Sequence, residues 1–468
     1  MIYNFISKIY KKIINTKINK ELLKDLDILA NEFNKLFFNT DDIITKSLNK
    51  KKTITRKRKI NFIDVLCYMF NYSFIGNTKQ SVISDYNFDN GINVNRTSFY
   101  RKELKIPMNY YENLFCKIKT LLNKYTNKNN SSFNKIIAVD GTYSNTNILN
   151  DGTLETTLNM GYYDSTNRIP VDLELKNGNY KNKEIKSFIE YLEKNNFDKK
   201  NIIFVFDRAY FSYDFINKLN EYKLNYVIRS KNNSKYLKEN NILNKIDDNN
   251  RFINYISKRI IIQKDKNNKD VKLEEIIECN LVTNLDKNDY DDKKIKNIYL
   301  QRWDVEVFFK LLKSNFKFSI LREHNLTTVK QYNKKYLIIL INLHIIRLIE
   351  IVYGKHNPII NNNKNKYNCK YNNTLMINGL KKIINFIVKS DINKNILLNY
   401  CSNYIKKNYS IKDISNPRVS KIPFTKWYVK SYSDYYKYVS IIKALRNNNL
   451  DELNKNLKLL AKKLKIIE

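Results

Sequence analysis

The run Lys135-Ile136-Ile137-Ala138-Val139-Asp140-Gly141-Thr142 decides how this chain folds. Ile136 to Val139 is short, apolar and β-rich, and it ends in a carboxylate followed by a glycine. Glycine marks turns and close backbone approach. Half of the chain's 8 glycines (Gly141, Gly152, Gly161, Gly178) fall just here. This spending predicts three antiparallel strands, near 136–144, 154–164 and 168–176. A helix follows over Lys183–Lys194. Ile202-Ile203-Phe204-Val205-Phe206 is a second buried strand ending in an acid, Asp207. Ser212–Glu221 then predicts a helix and Tyr226–Arg229 a fifth strand.

The order β-β-β-α-β-α-β is that of the ribonuclease H-like fold, an α/β architecture in which helices flank a mixed sheet. Upstream, residues 1–130 read as a helical N-terminal DNA-binding region. Apolar spacing runs through Ile2–Ile18 and Leu22–Phe38, followed by the basic run Lys50–Lys59 with Arg56 and Arg58. Short helices are predicted over Phe62–Tyr72, Lys79–Tyr86 and Thr97–Leu104, the last after the N-cap Asn95 and carrying Arg101. Two readings stand for these helices: a helix-turn-helix-like DNA reader, or a small bundle with a solvated basic face. The first part of the catalytic domain spans 131–230. A polar, alternating stretch at 231–297 predicts a β-rich insertion subdomain, and 298–353 the second part of the domain. Residues 354–468 read as a helical C-terminal region. Its seam of Leu453, Leu457, Leu460, Leu464 and Ile467 suits core packing or a dimer contact.

Composition narrows the classes. In 468 residues, 84 Lys and Arg against 46 acids leave a net charge of +38, a field that attracts polyanions such as nucleic acid. A coding bias toward A/T, visible in the wealth of Asn, Lys, Ile and Tyr, is the competing source of that charge. The 43% hydrophobic content excludes a disordered chain. Five scattered cysteines without a CxxC pair, and 3 isolated histidines, point away from a zinc site or disulfide framework and toward a reducing interior. Lys and Asn interrupt the N-terminal apolar runs, so no signal-peptide core is expected. The most apolar stretch, Tyr336–Tyr353, contains Asn342, His344, Arg347 and Glu350 and predicts a buried helix rather than a membrane span.

Three carboxylates stand out by placement: Asp140 and Asp207 at strand ends, and Glu306 on a predicted helix over Asp291–Phe318. Acids at the ends of adjacent strands project from one sheet edge, and a helix packed there adds a third. Hard oxygen ligands so gathered suit Mg²⁺ or Mn²⁺, and a pair of such ions serves phosphodiester chemistry. On that helix Tyr299, Arg302, Glu306 and Lys313 fall on one face, with Val305, Phe308 and Leu312 turned to the core. The two cations on that stripe can hold phosphates on either side of the acid.

At this point the sequence resembles the IS4-type DDE transposases. Tyr299-x2-Arg302-x3-Glu306-x6-Lys313 reproduces their YREK signature. Val139-Asp140-Gly141-Thr142 is similar to their first-Asp block, and Asp207-Arg208-Ala209-Tyr210-Phe211-Ser212 to the second, where the family often has Gly at the Ala209 position. Gly161–Asp164, Glu184 and Tyr226–Lys231 extend the likeness, and Arg56–Tyr72 and Thr97–Leu104 do so more loosely. The resemblance covers about 50–350. It implies a transposase with Asp140, Asp207 and Glu306 as a DDE triad holding two Mg²⁺ or Mn²⁺ ions. Such an enzyme cuts at the element's end and joins the freed 3′-OH to target DNA. It further implies phosphate contacts from Tyr299, Arg302, Lys313 and Arg208, a homodimer with DNA, an intracellular site of action and no membrane. Trp303 would stack on an extruded base or lie in the core. The alternatives are a domesticated, inactive DNA-binding protein and a nuclease without strand transfer.

Overall fold

The computed structural model describes residues 20–37, 60–126, 135–148, 154–176, 183–195, 201–230, 250–264, 270–316, 318, 327–357, 367–405, 407–411 and 418–419. The basic run at 50–59, with Arg56 and Arg58, and the seam at 453–467 lie outside these residues.

The three glycine-punctuated strands are β1 (Lys135–Ile148), β2 (Leu154–Asp164) and β3 (Ile169–Lys176), paired antiparallel in that order. β4 (Ile202–Phe206) runs parallel to β1, and β5 (Asn225–Arg229) parallel to β4. The sequence β3-β2-β1-β4-β5 is the ribonuclease H-like arrangement predicted above. Beyond it the β-rich insertion takes its own form. β6 (Arg251–Lys264) and β7 (Asp270–Thr283) make a long antiparallel pair, and β7 joins β5, so the insertion continues the main sheet.

Alternation along the strands sorts side chains into two layers. Ile137, Val139, Phe204, Phe206 and Ile228 face one core, covered by a helix at Glu184–Lys194 and another at Tyr213–Glu221, which Ser212 caps. Ile203, Val205 and Val227 face the other side, against Ile295 and Ile298 of a helix at Asp292–Leu300. A further helix, Trp303–Asn315, lies across β1 and β2. It can do so because β2 offers Gly161: a Cβ there would come within 2.7 Å of the Phe309 ring. Gly161 is also the register partner of Asp140. Gly161→Ala should therefore push this helix off the strand that carries the acid and cost about 1–3 kcal/mol by overpacking. A denaturant titration checks it, and unchanged stability would show that Phe309 yields freely.

The Asp291–Phe318 region departs from the continuous helix predicted. It breaks at Gln301-Arg302, where the amides of Gln301, Arg302 and Asp304 bond three residues back, at 3.1, 3.0 and 3.0 Å. The Ser165 hydroxyl, from the turn after β2, donates to the Gln301 carbonyl at 3.1 Å and secures the break.

The predicted N-terminal helices form at Phe62–Tyr72, Lys79–Asn90 and Arg96–Glu103, started by the side chains of Asn61, Thr78 and Asn95. With residues 20–37 and Met108–Thr126 they share one apolar core with helices at Thr327–His356, Asn373–Val388 and Lys394–Tyr404. The Thr327–His356 helix ties the layers together: Tyr336 donates to Asn159 of β2 at 2.8 Å, and Asn342 to Ser73 at 3.1 Å. Its stretch Asn333–His356 is long and apolar enough to cross a membrane, yet 72% of its most apolar window is buried against the rest of the chain. The C-terminal region is less uniformly helical than predicted. Tyr367–Tyr371 pairs antiparallel with Lys407–Ile411, and Arg418–Val419 adds to β6.

Candidate active site

Parallel pairing of β1 with β4 aligns Ala138 with Val205, and β4 with β5 aligns Phe206 with Ile228. Continuing both registers sets Asp140, Asp207 and Arg229 side by side at one edge of the sheet. By alternation all three belong to the face that also carries the Trp303–Asn315 helix. Arg229 went unnoticed in the sequence. The signal available was a lone cation closing the strand Tyr226-Val227-Ile228, in step with Asp207.

The two aspartates feel each other. The Asp140 carboxyl is pushed up to about 7, first by burial, then by the charges of Asp207 and Glu184. The Gly141 amide, donating to Asp140 at 2.9 Å, and the Arg302 guanidinium pull the other way. Asp207 instead organises the following turn, accepting from the Ala209 amide at 2.7 Å. That turn leaves Arg208 exposed and buries Tyr210.

Glu306 lines the same open cleft as Asp140, together with Thr142, Lys310 and Lys313. Its carboxylate is paired with Arg302 at 2.6 Å. Lys313 reaches across to β1 and donates to the Thr142 hydroxyl at 2.8 Å. Tyr299 departs from the predicted phosphate-facing stripe. The break at Gln301-Arg302 turns it inward, so it is 7% exposed in the layer of Val205 and Val227, close to Arg229. Trp303 moves the other way. It is 47% exposed, with the Arg302 guanidinium 5.9 Å from its ring, which removes the core reading. Arg101 is exposed in the last turn of its helix, in the N-terminal layer.

These residues suit a divalent cation. The donors are hard oxygens, and the crowding that raises Asp140 is what a cation between the carboxylates relieves. Among the described residues no three His, Cys, Asp or Glu side chains already stand close enough to hold an ion. A cation would have to draw them in, and Glu306 would have to leave Arg302.

The crowding has a consequence for stability. Asp140 binds its proton more tightly in the folded chain than at its ordinary value of 3.8. Below about pH 4 both states are protonated; as pH rises toward 7 the folded carboxyl resists ionisation, so stability falls across that window. Without divalent cations, Asp140→Asn should therefore be more stable than the parent at pH 8, on the order of a few kcal/mol, and no more stable at pH 4. Thermal melts at the two pH values check this, and an equal gap at both would remove the charge argument.

Residues 158–342 match the family model described as the transposase DDE domain, which bears out the resemblance to DDE transposases. The matched stretch takes in Asp207 and Glu306 and begins after Asp140. Among solved structures, the chain is similar to a piggyBac transposase in a synaptic complex with hairpin DNA. The identity is 13%, the TM-score is 0.37, and the likeness covers 85% of this chain and 89% of that one. No curated protein matches the chain.

Proposed function

From the transposase DDE domain match we propose that this chain is a DDE transposase of the IS4 type. In this reading it cuts the ends of a DNA element and joins the freed 3′-OH to target DNA. The observation that carries the proposal is the register of Asp140 with Asp207 at one sheet edge, faced by the helix that bears Arg302, Glu306 and Lys313. Asp140, Asp207 and Glu306 would hold Mg²⁺ or Mn²⁺, two ions in all. Such ions supply an activated oxygen nucleophile and neutralise charge at the scissile phosphate.

The protein's own part is to hold and orient. Lys313, anchored on Thr142, presents a point charge at the mouth of the cleft, and Arg302 a planar fork that can pass from Glu306 to a phosphate. Trp303, next to that fork, offers a ring face for an unstacked base. Arg208 and Arg101 are exposed for backbone contacts. We assign the chain to the cell interior with DNA, working as a homodimer on paired ends.

The test is incubation of purified chain and Mg²⁺ with duplexes carrying the sequences that flank the gene, followed by mapping of the 3′ ends. Nicks at the element's boundary with joined products support the proposal. Nicks without joining favour a nuclease, and binding alone an inactive DNA-binding protein. Lys50–Lys59 should add to end binding. Neutralising its seven Lys and Arg should flatten the salt dependence of affinity by roughly 0.9 in log–log slope for each phosphate no longer neutralised. An unchanged slope in a salt-titrated binding assay would leave coding bias as the source of that run.

A further inference from the structure

We propose that Tyr143 is a further DNA contact of this site, a ring on which an unstacked base rests, and that Glu184 is the residue that positions it. The proposal rests on the reading that Asp140 and Asp207 serve DNA cleavage.

Tyr143 follows Asp140 by three residues on β1, and the register is regular between them. Alternation sends Asp140 and Thr142 to the face of the Trp303–Asn315 helix, and Gly141 and Tyr143 to the other face. Earlier on that second face Ile137 and Val139 are buried, but the pairing of β1 with β4 ends at Ala138. Past the acid, β2 is the one described neighbour of the strand, and Tyr143 is 38% exposed. Only four aromatic side chains among the described residues are exposed: Phe88, Tyr143, Trp303 and Phe386. Two of the four therefore stand at the catalytic edge, one on each face of the sheet. Apolar residues exposed singly need no explanation, whereas a pair bracketing one carboxylate does.

The ring is also held in place. Glu184 opens the helix after β3, and its carboxylate rests over Gly141, where a Cβ would stand 2.6 Å from its carboxyl carbon. This carboxylate accepts from two phenols, the fully buried Tyr210 and the exposed Tyr143. Tyr210 pins the acid inside the fold, and the acid ties down the Tyr143 hydroxyl while leaving the ring open. Water would serve an exposed hydroxyl equally well, so the tether is not needed to satisfy that group. It also crowds the site, because the Glu184 charge helps to raise Asp140. What it achieves is a ring fixed in direction beside the acids, and a preordered aromatic surface loses less freedom on binding. Base stacking suits such a ring, since every base has a π-face. With Trp303 on the opposite face, bases on the two sides of the scissile phosphate each meet a ring.

The test uses the full chain, bound without divalent cation to duplexes that carry the sequences flanking the gene, a short unpaired flank, and 5-iodouracil at successive positions. Long-wavelength ultraviolet light joins that base to an aromatic ring stacked on it, and peptide mapping identifies the ring. The parent should cross-link at Tyr143. Tyr143→Ala should bind the unpaired flank about 5–150-fold more weakly, the scale of one base stacked on an aromatic side chain, and bind fully paired duplex as the parent does. Tyr143→Phe, which keeps the ring and drops the tether, should cross-link in lower yield. Glu184→Ala should do the same at parental circular dichroism, and if it does not fold, Tyr143→Phe decides that arm alone. No cross-link at Tyr143 from any position, or parental affinity of Tyr143→Ala for the unpaired flank, overturns the proposal. Parental yield in Tyr143→Phe overturns the part given to Glu184. Cleavage of the same duplexes in Mg²⁺ separates the two levels. A parent that cuts without cross-linking at Tyr143 excludes only this contact, and one that does neither brings down the reading of the aspartates as well.

Discussion

Asp207→Ala should hold the element's DNA nearly as well as the parent and cut it slower by on the order of 10³-fold or more, the scale at which a single charge-stabilising group acts in a transition state. The division follows from where the charges are. Affinity comes from many Lys and Arg in a chain of net charge +38, so removing one acid leaves it intact. Asp207 instead sits at the end of β4 in step with Asp140, and the Ala209 amide it accepts from at 2.7 Å fixes its direction. Asp140→Ala and Glu306→Ala should behave alike. Gel-shift and cleavage assays on one preparation measure both quantities. Equal loss of binding and cutting would mean that Asp207 shapes the turn at Arg208 and does no more.

Arg302→Ala should lower binding and cleavage together. The fork removed is charge-assisted, so roughly 1.5–3 kcal/mol of end affinity goes with it. Arg302→Lys should restore only part, because a point charge cannot replace a bidentate fork. The 2.6 Å pair with Glu306 sharpens this expectation. If Arg302 only restrained Glu306, its removal would free the carboxylate and speed cutting, and a binding assay beside a single-turnover cleavage assay separates the cases. Lys313→Ala should resemble Arg302→Ala, with the Thr142 hydroxyl left unpaired.

Much of the sheet was legible because Ile136–Val139 and Ile202–Phe206 are apolar runs too short for helices and ended by acids, and because turn glycines separate the first three strands. The N-terminal helices were legible through their helical patterns, and the last of them also through its cap, as Asn95 shows by accepting from Ser98 at 3.0 Å. The break at Gln301-Arg302 was not. Its stabilising contact comes from Ser165, far away in sequence, and local periodicity runs straight through it. The same break decides that Tyr299 is buried, away from the predicted stripe, and that Trp303 is exposed. Gly141 and Gly161 could be recognised as close-approach positions, but not what approaches them. Glu184 and Phe309 arrive from other elements, and no local pattern names a partner across the fold. The strands at 367–371 and 407–411 escaped notice because each is five residues long and set in Asn- and Lys-rich sequence.

The most direct measurement on the central claim, that this carboxylate edge holds divalent cations against the scissile phosphate, uses DNA ends with one non-bridging oxygen of that phosphate replaced by sulfur. Mg²⁺ ligates sulfur poorly and Mn²⁺ tolerates it, since the softer ion accepts the softer ligand. With the parental chain, sulfur should slow cleavage sharply in Mg²⁺ and Mn²⁺ should restore it, while Asp207→Ala should cut neither substrate in either metal. Cleavage that is indifferent to sulfur in both metals, or that persists in chelator, would contradict the account.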